Sequence, residues 1–115
     1  MRVIVFGATG SIGHLTVQEL LKEGHEVTAF ARNPQKLSFT NPKLSLIAGD
    51  ALDGKDVLAA VKDHDAVVIT LGSGMSRRSI IRSKGTKNVI RAMHAHSVRR
   101  LICQSTLGVG ESWFN

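Results

Sequence analysis

A doubly wound α/β fold, built on one parallel sheet of five strands in the order 3-2-1-4-5, is predicted by two observations. Short apolar runs alternate with helical stretches along the 115 residues. Alternation of that kind produces a parallel sheet with right-handed crossovers and helices on both faces. The first run, Arg2-Val3-Ile4-Val5-Phe6, also passes directly into Gly7-Ala8-Thr9-Gly10-Ser11-Ile12-Gly13, a strand that turns on glycines into a helix.

The elements follow in order. Strands are expected at about 2–6, 26–31, 44–48, 65–71 and 99–105, and helices at about 11–23, 54–63 and 79–96. The first helix is read with Ile12, Leu15, Leu20 and Leu21 on its apolar face and Gly24 as its stop. Segment 33–43 carries Asn33-Pro34 and Asn41-Pro42, which makes it a loop with at most one helical turn. The third strand leads into Gly49-Asp50-Ala51, where an aspartate suits the turn or the cap of the next helix. The third helix is read with Ile81, Val89, Ile90 and Met93 buried and Arg82, Lys84, Lys87 and Arg91 on its polar face. No repeat, low-complexity stretch or linker divides the chain, so one domain is expected over residues 1–115.

In such a sheet the strand order reverses between strands 1 and 4, and ligands lie there beyond the carboxyl ends of the strands. Gly7 to Gly13 and Leu71 to Gly74 both fall at that crevice. Gly7 allows a sharp exit from the strand. Gly10 removes a Cβ that would hold a phosphate away, and a positive φ is also expected there. Gly13 allows close packing of helix on strand. The N–H groups of the helix start then face an anion, and the pyrophosphate of a dinucleotide is the usual occupant. A plain strand–turn–helix unit is the bland alternative. A Walker-type loop is excluded, since no Gly-Lys-Ser/Thr closes the turn. Enzymes that use NAD place an Asp or Glu at the end of strand 2. Here Arg32 stands at that end, where a guanidinium suits a 2′-phosphate and a carboxylate would repel it. NADP (NADPH) is therefore expected over NAD, the alternative being a solvated arginine at a loop start.

Gly-Ala-Thr-Gly-x-Ile-Gly resembles the cofactor loop of the extended and atypical short-chain dehydrogenase/reductases. Asp50-Ala51, Val68-Ile69-Thr70-Leu71-Gly72 and Gly85-Thr86-x-Asn88-Val89-Ile90 continue the likeness in order. The closest resemblance is to the NAD(P)H-binding group of flavin and biliverdin-IXβ reductases and NmrA-like proteins, up to about Ser105 or Thr106. It implies a Rossmann-type sheet. It also implies cofactor contacts from Gly7, Thr9, Gly10, Ser11, Ile12, Gly13 and Arg32, with Asp50 and Ala51 at the adenine edge and Leu71 and Gly72 beside the nicotinamide ribose. Ser105 and Thr106 match a Ser/Thr at the end of strand 5, and are as well explained by local backbone bonding. Short-chain dehydrogenases generally use a Tyr-x-x-x-Lys pair, and this chain has no tyrosine. Two functions follow: an NADPH-dependent reductase of a small conjugated acceptor (flavin, quinone or tetrapyrrole), or a non-catalytic dinucleotide sensor or interaction module of NmrA type. Relatives continue beyond strand 5. With the sequence ending at Asn115, strand 5 is expected to be a sheet edge open to self-association, with Trp113 and Phe114 on an apolar tail.

Composition bounds the rest. Apolar residues make up 43%, and no run approaches the roughly 20 residues that span a bilayer. The lone Cys103 forms no internal disulfide and points to a reducing cytoplasm. The histidines lack metal-ligand spacing, so no metal is expected. The net charge is +6, eight of the fifteen basic residues lie from Arg77 to Arg100, and no acid occurs between Asp65 and Glu111. A nucleic-acid surface is one explanation and a solvated helix face the commoner one. Arg77 and Arg78 are candidates for touching cofactor phosphates or an anionic substrate.

Overall fold

The computed structural model describes residues 1–10, 12–71, 84–105 and 111–114, with the backbone alone for 71, 103–105 and 111–114. Strands β1 (Arg2–Phe6), β2 (Glu26–Ala31), β3 (Leu44–Ala48), β4 (Ala66–Leu71) and β5 (Arg100–Ser105) pair in parallel in the order β3-β2-β1-β4-β5. Helices α1 (Gly13–Lys22), α2 (Gly54–Val61) and α3 (Thr86–Ala95) connect them, and segment 33–43 holds one 3-10 turn at Pro34–Lys36. The parallel sheet and its order are those expected from the alternation of elements.

The sheet continues one strand further than expected. A sixth strand, β6 (Glu111–Phe114), runs antiparallel along β5, with Leu101 opposite Phe114 and Gln104 opposite Glu111. The expectation that β5 forms an open edge is therefore corrected. A run of four residues is a weak signal on its own, and it gains its place here from the backbone groups of β5.

Alternation along the strands divides the core in two. Ile4, Phe6, Val67 and Ile69 face α2 and α3, where they meet Val57, Val61, Val89, Ala92 and Met93. Val3, Val5, Ala66 and Val68 face α1 and meet Val17, with Leu20 and Leu21 packed alongside. Two helix-face readings are corrected by this packing. Leu15 is 54% exposed; it lies about 200° around the helix from Val17, the residue that points inward. Ile90 is 47% exposed, because Val89, Ala92 and Met93 define the inner side of α3. Lys84, Lys87 and Arg91 are exposed, as a solvated outer face requires. Ile81, Arg82 and the expected start of the third helix at residue 79 lie outside the described residues. No helix among the described residues is long and apolar enough to cross a membrane.

One polar pair is set into the α2–α3 side. Thr28 is buried on β2, and its hydroxyl lies 2.8 Å from His64 Nε2 while His64 Nδ1 lies 3.0 Å from the Lys62 carbonyl. A carbonyl only accepts, so Nδ1 carries the proton, and Nε2 accepts from Thr28 in the neutral ring. Burial, the largest cause, holds the His64 pKa below its ordinary 6.5. The folded state thus resists a proton that the unfolded state accepts below pH 6.5. This contribution to stability is constant above that pH and declines as the pH falls toward the lowered folded value. Urea denaturation at pH 5 to 8 is expected to show that decline, with a shallower slope in His64→Gln.

Candidate functional site

The carboxyl ends of β1, β2, β3 and β4 open onto a cleft of about 530 Å³. Gly7, Thr9 and Gly10 line one wall; Arg32 and Lys36, from the end of β2 and the loop after it, line another. Gly49, Asp50 and Ala51 close the β3 side, and Gly85 and Val89 of the third helical segment close the last. Phe6, Phe30 and Ile69 contribute the apolar lining. The two rings are 4.7 Å apart and tilted by 49°, a favourable aromatic arrangement.

The three glycines of the turn are glycines for three different reasons. Gly7 has φ +80°, a conformation that L side chains rarely adopt, and a Cβ there would lie 2.6 Å from the Thr70 carbonyl oxygen. At Gly13 a Cβ would lie 2.0 Å from the Gly7 carbonyl oxygen. The start of α1 therefore rests directly on the strand exit. Gly10 is different. A Cβ there meets only Gly7 O, at 3.4 Å, and Gly10 is not among the positive-φ residues. The expected positive φ at Gly10 is corrected: among the described residues of this loop, Gly7 takes the left-handed turn. Neither crowding nor backbone conformation calls for glycine at 10. Gly10 lines the cleft, and a glycine there leaves that side of the turn open.

The starts of α1 and α2 are capped differently. α2 is capped by its own residue Asp53, whose carboxylate accepts from Lys55 N–H at 2.9 Å. No side chain caps α1, where Ile12 occupies the cap position. In its first turn the His14 N–H donates to the Gly10 carbonyl at 3.1 Å and the Thr16 N–H to the Ile12 carbonyl at 2.9 Å. Thr70, buried on β4, donates to the Phe6 carbonyl at 2.9 Å and the Gly7 carbonyl at 3.0 Å. It locks the strand exit in place and was not singled out in the sequence as a site residue.

Arg32 and Lys36 are exposed on the cleft wall. Neither side chain has an ion-pair or hydrogen-bond partner among the described residues. Lys36 was missed by the sequence reading, because the proline-bounded loop hid which way it faces. Asp50 acts as a turn former: its Oδ1 accepts from Leu52 N–H at 2.9 Å, which is the capping role weighed for it. Leu71 and Ser105 are register neighbours at the ends of β4 and β5. Ser11, Gly72, Arg77, Arg78 and Thr106 lie outside the described residues. Among the described residues, no group of three or more His, Cys, Asp or Glu could hold a metal ion.

A family model described as NAD(P)H-binding matches residues 7–115, from the first glycine of the turn onward. The chain belongs to this NAD(P)H-binding family. Among its relatives, a 3-beta-hydroxysteroid dehydrogenase of Mycolicibacterium neoaurum is 35% identical over 113 residues, covering 88% of this chain and 31% of that protein. A 3-diazoavenalumate denitrifying reductase of a Streptomyces species is 32% identical over 117 residues, covering 91% of this chain and 38% of that protein. A solved Rossmann-fold NAD(P)-binding family protein from Shigella flexneri superposes with a TM-score of 0.71 at 29% identity, over 87% of this chain and 49% of that one. The chain spans about a third of the length of these curated relatives and about half of that structure.

The geometry separates two glycine substitutions. Gly13→Ala is expected to lower stability by about 2–3 kcal/mol through backbone overpacking. Gly10→Val is expected to stay within about 1 kcal/mol of the parent while losing dinucleotide binding. Urea denaturation and calorimetric titration with NADPH check the two halves.

Proposed function

We propose that this chain binds NADPH across the carboxyl edge of its sheet. In this reading it forms the dinucleotide-binding part of a reductase of a small conjugated acceptor such as a flavin, quinone or tetrapyrrole. The observation that carries the reading is the opening beside Gly10 in the same cleft as Arg32. One wall suits a pyrophosphate, and another presents Arg32 and Lys36, without partners among the described residues, where the adenosine ribose of a dinucleotide would end.

Residue roles follow from that placement. Gly7, Thr9, Gly10, Ser11, Ile12 and Gly13 would border the pyrophosphate, with Gly7 and Gly10, whose N–H groups go to the Phe30 and Gly7 carbonyls, shaping the turn rather than donating to the ligand. Arg32 would fork onto the 2′-phosphate. Asp50 and Ala51 would border the adenine, with Leu71 and Gly72 beside the nicotinamide ribose. The bound nicotinamide supplies hydride. Ser105 and Thr106 are the hydroxyls proposed to face an acceptor carbonyl or the nicotinamide amide. Relatives named as a reductase and a dehydrogenase support redox chemistry. A second reading, a dinucleotide sensor that does not turn the cofactor over, is favoured by the absence of tyrosine from the 115 residues. The single cysteine suits a reducing cytoplasm in either case.

Titration of the purified chain is expected to show tighter binding of NADPH than of NADH. Arg32→Ala is expected to lose about 1.5–3 kcal/mol of NADPH binding and to leave NADH nearly unchanged. Equal affinities in the parent chain would overturn the NADP assignment. Steady NADPH oxidation with a flavin, quinone or tetrapyrrole supports the reductase, whereas tight binding without turnover supports the sensor.

A further inference from the structure

We propose that Asp56 and Asn88 form a clamp from two helices that fixes the Asp50–Ala51 turn for the adenosine half of the dinucleotide. The inference rests on the nucleotide reading above and adds two positioning residues to it. Asp50 and Ala51 line the cleft, and their consecutive backbone groups are held by side chains from different elements. Asp56, in the first turn of α2, accepts the Asp50 N–H on Oδ2 at 3.0 Å. Asn88, in the first turn of α3, donates from Nδ2 to the Ala51 carbonyl at 3.0 Å. Both side chains belong to half-buried residues.

The turn has its own internal bonds. Leu52 N–H reaches Asp50 Oδ1, and Asp53 N–H reaches the Asp50 carbonyl, each at 2.9 Å. These set the shape of the turn and not its place relative to the sheet. Asp56 and Asn88 set the place. Neither residue is occupied in capping a helix, since Asp53 caps α2 and no side chain caps α3.

Packing beneath the turn fits the same role. A Cβ on Gly49 would lie 2.7 Å from Phe30 Cζ and 3.2 Å from Asp56 Oδ2. Ring, glycine and carboxylate thus occupy one tight volume at the foot of the clamp. A turn fixed in advance spares the ordering cost that a loose turn incurs when ligand binds. Asp56 and Asn88 act through the turn and need not touch the nucleotide themselves.

The test compares NADPH with 2′,5′-ADP, its adenosine half, by calorimetry on the parent chain, Asn88→Ala, Asp56→Ala, Asp56→Asn and the double alanine variant, with thermal melts alongside. Asn88→Ala and Asp56→Ala are each expected to weaken both ligands by the same factor, about tenfold, as for one lost hydrogen bond to a positioned group. Asp56→Asn keeps an acceptor for the Asp50 N–H and is expected to stay within about threefold. The double variant is expected to lose less than the product of the single losses, because the turn is released only once. Should Asp56→Ala fail to fold, Asn88→Ala and Asp56→Asn carry the comparison. Parent-like affinity for 2′,5′-ADP in Asn88→Ala overturns the clamp, as does a loss for NADPH well beyond that for 2′,5′-ADP. A parent chain that binds neither ligand overturns the nucleotide reading itself and the clamp with it.

Discussion

The contact between the Gly7 carbonyl and the Cα of Gly13 is the constraint on which the rest of the site depends. With a side chain at 13 its Cβ would lie 2.0 Å from that oxygen, so α1 would have to lift away from the sheet. The Gly7 turn is tied on both flanks. Its N–H reaches the Phe30 carbonyl of β2 at 3.3 Å, and its carbonyl accepts from Thr70 of β4 at 3.0 Å. Helix, turn and three strands therefore share one small set of atoms. The opening beside Gly10 exists because that set is fixed.

Beneath the cleft, side-chain volume continues what the backbone begins. Phe6 and Phe30 pair across β1 and β2, and Phe30 leaves no room for more than a hydrogen at Gly49. Gly49 donates its N–H to the Ala31 carbonyl at 3.0 Å, so the ends of β2 and β3 stay in step. On the far side, the edge strand β3 is half covered, with Leu44 and Ile47 packed inward and Leu46 exposed. The tightest packing of the fold thus lies in β1, β2 and β4, the strands that carry the cleft floor.

Much of this was legible in the sequence because it is local. The glycine spacing after Phe6 announced the turn, and the five parallel strands fall within a residue of their expected bounds. What failed was helical angle. Leu15 and Ile90 are apolar, but residues one or two positions away point inward. Composition does not distinguish a short helix's inner face when apolar residues sit on both sides. Thr70, Lys36, Asp56 and Gly49 were not singled out because their roles are tertiary. Each matters through an atom of a distant segment, which spacing along the chain does not reveal. β6 escaped for a related reason, since its backbone partner lies on β5.

The place of β1 has a consequence for synthesis. β1 ends in the middle of the sheet, with Val3 opposite Val27 on one side and Ala66 on the other. Its second partner, β4, begins 60 residues after β1 ends and is made well after β2. At about 5–20 residues per second, the nascent β1–β2 pair waits for several seconds with one flank unsatisfied. Closing that flank joins residues far apart in sequence, which is entropically slow. The arrival of β4 is therefore the step that commits the nascent chain to this sheet, and until then the β4-facing flank of β1, beneath the glycine turn, is open to a chaperone or to a wrong partner.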